Sequence, residues 1–141
     1  MPDRILILDD ELDMLALLET IITTKTPHEV CVTNNPLELE DLLAAQPVSL
    51  VLSDLKMLGR DGLEIIDLVR GADETIPVVI ITAYGSLEAA QEAIRRGAYD
   101  FITKPFRKEQ VLLTIERAIE FRNITLENIR LRASGTDDRS R

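Results

Sequence analysis

The chain has 141 residues, enough for one domain with its own core. Hydrophobic residues make up 45% and charged residues 29%, an ordinary globular balance, and no apolar run nears the ~20 residues of a membrane-crossing helix. The formal net charge of −9 argues against this domain gripping nucleic acid itself and suits a carboxylate-rich site for a cation. Met1-Pro2-Asp3-Arg4 leads straight into the apolar run Ile5-Leu6-Ile7-Leu8, so no signal peptide is expected. That run reads as a buried strand and ends in Asp9-Asp10-Glu11. Leu12, Leu15, Leu18 and Ile22 then recur at helical spacing to about residue 24, and Pro27 ends the helix. Glu29-Val30-Cys31-Val32-Thr33 is a short β-branched strand nearer the sheet edge. Its lone cysteine excludes an internal disulfide and fits a cytoplasmic setting. His28, beside it, reads as a solvated bystander.

Asn35-Pro36 opens a second helix with an N-cap and a first-turn proline; Leu39, Leu42 and Leu43 give its apolar face and Pro47 closes it. Val48-Ser49-Leu50-Val51-Leu52-Ser53 runs directly into Asp54, followed by the glycine-bearing loop Leu55 to Gly62. A third helix runs from Leu63 to Arg70, with Gly71 as its stop. Ile76-Pro77-Val78-Val79-Ile80-Ile81-Thr82 is the next strand. Ser86 caps a helix whose apolar side is Leu87, Ala90 and Ile94 and which stops at Gly97. Tyr99-Asp100-Phe101-Ile102 is a last short strand before Thr103-Lys104-Pro105. A long helical pattern fills 106–132, and 133–141 reads as a disordered tail. Five strands alternating with five helices give an α/β fold with a parallel sheet covered on both faces.

In such a sheet the carboxyl ends of the strands share one edge, where ligands bind. Asp9, Asp10, Asp54, Thr82 and Lys104 all arrive there. Asp54 alone could equally cap the next helix. Three carboxylates together repel, by on the order of 3 kcal/mol per pair at ~5 Å and an effective dielectric of ~20. They call for a cation, and oxygen ligands suit Mg²⁺. A cation, an ammonium and a hydroxyl around a carboxylate resemble phosphoryl-transfer equipment, with Asp54 as the acceptor.

Asp9-Asp10, Asp54, Thr82-Ala83 and Lys104-Pro105, each after its strand, resemble the receiver domain of bacterial two-component response regulators over about residues 3–120. The stretch Thr82 to Ala90, with Gly97-Ala98-Tyr99-Asp100-Phe101 and the extended last helix, is most similar to receivers of NtrC-type (sigma-54-dependent) transcription activators. The resemblance implies a doubly wound, flavodoxin-like (βα)5 sheet of order 2-1-3-4-5. It implies that Asp54 takes a phosphoryl group from a sensor histidine kinase. Asp10, Asp54 and the backbone carbonyl of Lys56 would ligate Mg²⁺, with Asp9 acting through a metal-bound water. Lys104 and Thr82 would meet phosphoryl oxygens, Phe101 would be the switch aromatic, and Lys104-Pro105 would be cis. The face made by the fourth helix, fifth strand and fifth helix would then change for an output.

Two positions depart from the family's commonest pattern: Leu58 stands where proline is usual, and the switch residue is Phe. Lys56 and Tyr84 each lie two residues past a site residue, where their bulk could slow hydrolysis of the acyl phosphate. Residues 121–132 form a helical linker with two apolar stripes, a candidate dimerisation helix. No phosphate loop of an ATPase is present, so a longer activator would carry its AAA+ and DNA-binding portions elsewhere. The alternatives are a stand-alone module that binds a target protein and an aspartate-nucleophile phosphohydrolase, although Asp9-Asp10-Glu11 is D-x-E where that class needs D-x-D.

Overall fold

The computed structural model describes residues 3–139, with side chains as far as Ala133. The elements are β1 (Arg4–Leu8), α1 (Leu12–Lys25), β2 (Glu29–Thr33), a 3-10 turn (Pro36–Glu38), α2 (Leu39–Ala45), β3 (Leu50–Ser53), α3 (Gly62–Ala72), β4 (Val78–Thr82), α4 (Leu87–Arg95), β5 (Asp100–Thr103) and α5 (Lys108–Arg139). The strands form one parallel sheet in the order β2-β1-β3-β4-β5. Right-handed crossovers require helices on both faces of such a sheet, so its central strands must be apolar on both sides. β3 and β4 are buried at every position, whereas the edge strands β2 and β5 are only partly so.

Strand periodicity splits the apolar residues into two layers. Ile5, Ile7, Leu50, Leu52, Val79, Ile81 and Ile102 meet Leu15, Leu18 and Ile22 of α1 and Val111, Ile115, Ala118 and Ile119 of α5. Leu6, Leu8, Val51, Val78 and Ile80 meet Leu39 of α2, Ile65, Ile66 and Val69 of α3, and Ala93 of α4. Cys31 is half-buried against the second layer. His28 is tied in, not solvated: its Nδ1 accepts the Asp3 amide at 3.2 Å.

Four further local expectations change. Leu12 is 66% exposed, because α1 begins with it at the rim of the sheet. Gly71 lies inside α3, which ends instead at Asp73, whose carboxylate accepts from the Thr75 amide and hydroxyl. The stripe expected on α4 faces outward: Leu87 is 74% and Ile94 49% exposed, and Ala93 is the residue buried. The helix ends fix that rotation. Ser86 Oγ accepts the Ala89 amide at 3.0 Å. At the other end Ala98 N–H reaches Ala93 O and Gly97 N–H reaches Ile94 O, a Schellman closure in which Gly97 has φ +110°. α5 continues as helix to Arg139, through most of the stretch read as a disordered tail; 140 and 141 lie outside the described residues.

Candidate functional site

The ladder that aligns the strands also aligns their polar ends. Asp9 N–H bonds to Thr33 O, Asp54 N–H to Leu8 O at 2.9 Å, and Lys104 N–H to Thr82 O at 2.8 Å. Asp9, Asp54 and Thr82 are thereby carried on adjacent buried strands, and all three are buried. α3 starts directly on this backbone. A Cβ at Gly62 would stand 2.6 Å from Asp54 O and 2.9 Å from Leu55 Cα, so only glycine fits there.

The centre of the site is an ammonium between carboxylates. Lys104 Nζ donates to Asp9 Oδ2 at 2.9 Å and to Asp54 Oδ2 at 3.0 Å, and lies 3.9 Å from Glu11 Oε1. The Lys104 side chain is only 10% exposed. Burial works to lower its pKa, but the hydrogen bonds it donates to Asp9 and Asp54 hold it above the ordinary lysine value. Burial pushes the Asp9 carboxyl above the usual carboxylate range, against the opposing pull of Lys104 and the Glu11 amide. The Lys104–Pro105 peptide is cis.

Asp9, Glu11 and Asp54 each bring a carboxylate oxygen to within 4.8 Å of the other two. An all-oxygen donor set of that size fits a hard divalent cation such as Mg²⁺. Glu11 was not singled out in the sequence; the signal available was its place as the third acid of Asp9-Asp10-Glu11. Asp10 stands outside this trio, exposed, its Oδ2 accepting the Leu58 amide at 3.2 Å. Lys56 N–H bonds to Asp54 Oδ1 at 3.3 Å, which turns the start of the loop around the acid.

Thr82 is fully buried, and its Oγ1 accepts the Tyr84 amide at 3.2 Å. Its own hydroxyl proton is thus left to donate. Phe101 is half-buried against the α3–α4 layer. The loop after β4 lies on β5: a Cβ at Gly85 would meet Thr103 Cγ2 at 2.0 Å, with Phe101 Cε1 3.9 Å away. Lys56 Nζ sits 5.8 Å from the Tyr84 ring centroid, at a cavity of about 300 Å³ also lined by Leu55, Asp61, Leu63 and Ser86.

Residues 5–116 match the family model of the response regulator receiver domain. The chain belongs to that family. The receiver is 34% identical over 135 residues to a putative NtrX-like response regulator of Rickettsia bellii, covering 94% of this chain and 28% of that one. A crystal structure of NtrX from Brucella abortus superposes with a TM-score of 0.86 at 35% identity, over 94% of this chain and 30% of that one. The solution structure of the beryllofluoride-activated NtrC4 receiver domain dimer gives 0.80 at 31%, over 84% and 98%. These relatives make it a receiver of the NtrC type. It spans about 28% of the length of the first curated relatives it matches.

Proposed function

We propose that this receiver accepts a phosphoryl group on Asp54 from a phosphohistidine of a sensor histidine kinase. The reading is carried by one observation: Lys104 Nζ bridges Asp54 and Asp9 at a buried sheet edge where Glu11 brings a third carboxylate. An Asp54 carboxylate oxygen forms the new O–P bond as the N–P bond of the phosphohistidine breaks. The imidazole leaves and takes a proton from water. Lys104, already beside Asp54 Oδ2, pairs with a phosphoryl oxygen, and the Thr82 hydroxyl donates to another. Asp9, Asp10, Asp54 and the Lys56 carbonyl, joined by Glu11, are the residues that would hold Mg²⁺. That ion would supply charge neutralisation at the phosphoryl oxygens. Thr82 and Phe101 then alter the α4-β5-α5 face, and the chain catalyses nothing beyond its own phosphorylation and dephosphorylation.

The output is transcription activation through further domains, by analogy with relatives such as the C4-dicarboxylate transport transcriptional regulatory protein DctD of Pseudomonas aeruginosa. A homodimer through α5 is supported by its outward stripe. Phe121, Ile124 and Leu131 are exposed, with Asn128 among them, whereas the competing stripe of Ile119, Arg122, Leu126 and Ile129 already spends Ile119 on the core. Intact mass after acetyl phosphate and Mg²⁺ tests the site. One added phosphoryl group, lost in Asp54→Asn, is expected. No adduct with a cognate kinase overturns the reading.

A further inference from the structure

Three successive acids follow β1, yet the middle one is turned away from the trio. Asp9 and Glu11 have oxygens in the cluster with Asp54, and Asp10 has none. Asp10 Oδ2 accepts the backbone N–H of Leu58, which is 48 residues away in the loop between β3 and α3. That loop is fastened on both sides of Leu58. Lys56 N–H holds Asp54, Arg60 Nη2 reaches Glu40 Oε2 at 2.8 Å, and Asp61 caps α3 by accepting the Glu64 amide. Gly59, at φ +95°, lets the chain turn beneath the Leu37 side chain. The Leu58 side chain is 86% exposed, so what this residue offers its neighbours is its amide.

We infer that the Leu58 amide is a latch on Asp10: it holds this carboxylate off the Asp9–Glu11–Asp54 trio, and a divalent cation recruits Asp10 by breaking that hydrogen bond. The inference rests on the Mg²⁺ reading above. A carboxylate that keeps an amide donor gives up part of its lone-pair capacity, and charged hydrogen bonds are among the stronger ones. Here the geometry decides between help and competition. An orienting bond would leave an Asp10 oxygen among the trio; none is there. Loading the site therefore also frees the loop at Leu58, so metal occupancy and loop position are linked.

Proline at this position removes the donor, whereas alanine keeps it. The test is Mg²⁺ titration calorimetry on the whole chain as wild type, Leu58→Pro and Leu58→Ala. Leu58→Pro is expected to bind about three- to tenfold tighter than wild type, and Leu58→Ala within about twofold. The gain is expected to vanish when Asp10→Asn is added. Nuclear magnetic resonance supplies a second readout that needs no proline: the Leu58 amide proton of the wild type should move upfield as Mg²⁺ saturates. Leu58→Pro binding no tighter than Leu58→Ala overturns the latch. If Leu58→Pro does not fold, an unmoved Leu58 amide at saturating Mg²⁺ does so instead. Absence of Mg²⁺ binding by every variant overturns the metal reading itself, and the latch with it.

Discussion

Lys104 and Arg130 both hold carboxylates, but in different surroundings. Lys104 lies between Asp9 and Asp54 at a buried edge, 10% exposed. Arg130 Nε reaches Glu127 Oε2 at 3.1 Å on the outer part of α5, with both side chains more than half exposed. The same chemistry carries different weight in the two places. In water an ion pair is screened and its long side chains lose entropy, so little is gained. At the sheet edge each charge is desolvated and depends on its partner. The apolar residues repeat the contrast. Ile66 is fully buried, whereas Ile124, on the outer part of α5, is 53% exposed.

The largest way to sharpen this contrast is Lys104→Met. It leaves Asp9 and Asp54 facing each other, and a loss on the order of 3–5 kcal/mol is expected in urea unfolding without Mg²⁺. Added Mg²⁺ should recover part of it. Ile66→Ala should lose about 3 kcal/mol by opening a cavity, while Ile124→Ala leaves receiver unfolding unchanged and lowers self-association in light scattering. Equal losses for the two isoleucines would break the contrast. Next comes pH. The folded-state pKa of Lys104 is raised above 10.5, so its contribution is fully present below that value and lost as pH rises through the folded value. The gap between wild type and Lys104→Met should accordingly shrink in alkaline urea titrations. Lys56→Ala and Tyr84→Ala should shorten the lifetime of the acyl phosphate by a few-fold, read by loss of the mass adduct. Smallest of all, Arg130→Ala should leave the thermal midpoint unmoved.

The strands were legible because β1, β3 and β4 are continuous apolar runs, and only a sheet covered on both faces needs such runs. Once the strands are placed, the edge shared by Asp9, Asp54, Thr82 and Lys104 follows from parallel topology alone. What the sequence withheld depends on side-chain direction and on distant pairing. Glu11 joins the trio and Asp10 leaves it because of where each carboxylate turns, and the amide holding Asp10 belongs to another loop. The outward rotation of α4 was hidden for a similar reason. Its two ends, Ser86 and Gly97, set the angle that its apolar spacing did not. Gly71 misled because a glycine is tolerated within a helix when a stronger stop, here the Asp73 turn, lies just beyond.

α5 runs unbroken for 32 residues, about 48 Å of helix. Its inner half is bolted to the sheet by Val111, Ile115, Ala118 and Ile119, and Phe121 rests on Tyr99 with ring centroids 5.3 Å apart. Tyr99 stands two residues before Phe101, immediately ahead of β5. The helix is therefore a lever whose fulcrum lies beside the strand that carries Phe101. A tilt of a few degrees at that fulcrum would become a displacement of ångströms at the far end, and under the proposed switch anything mounted there would feel the state of Asp54 as motion, without touching it.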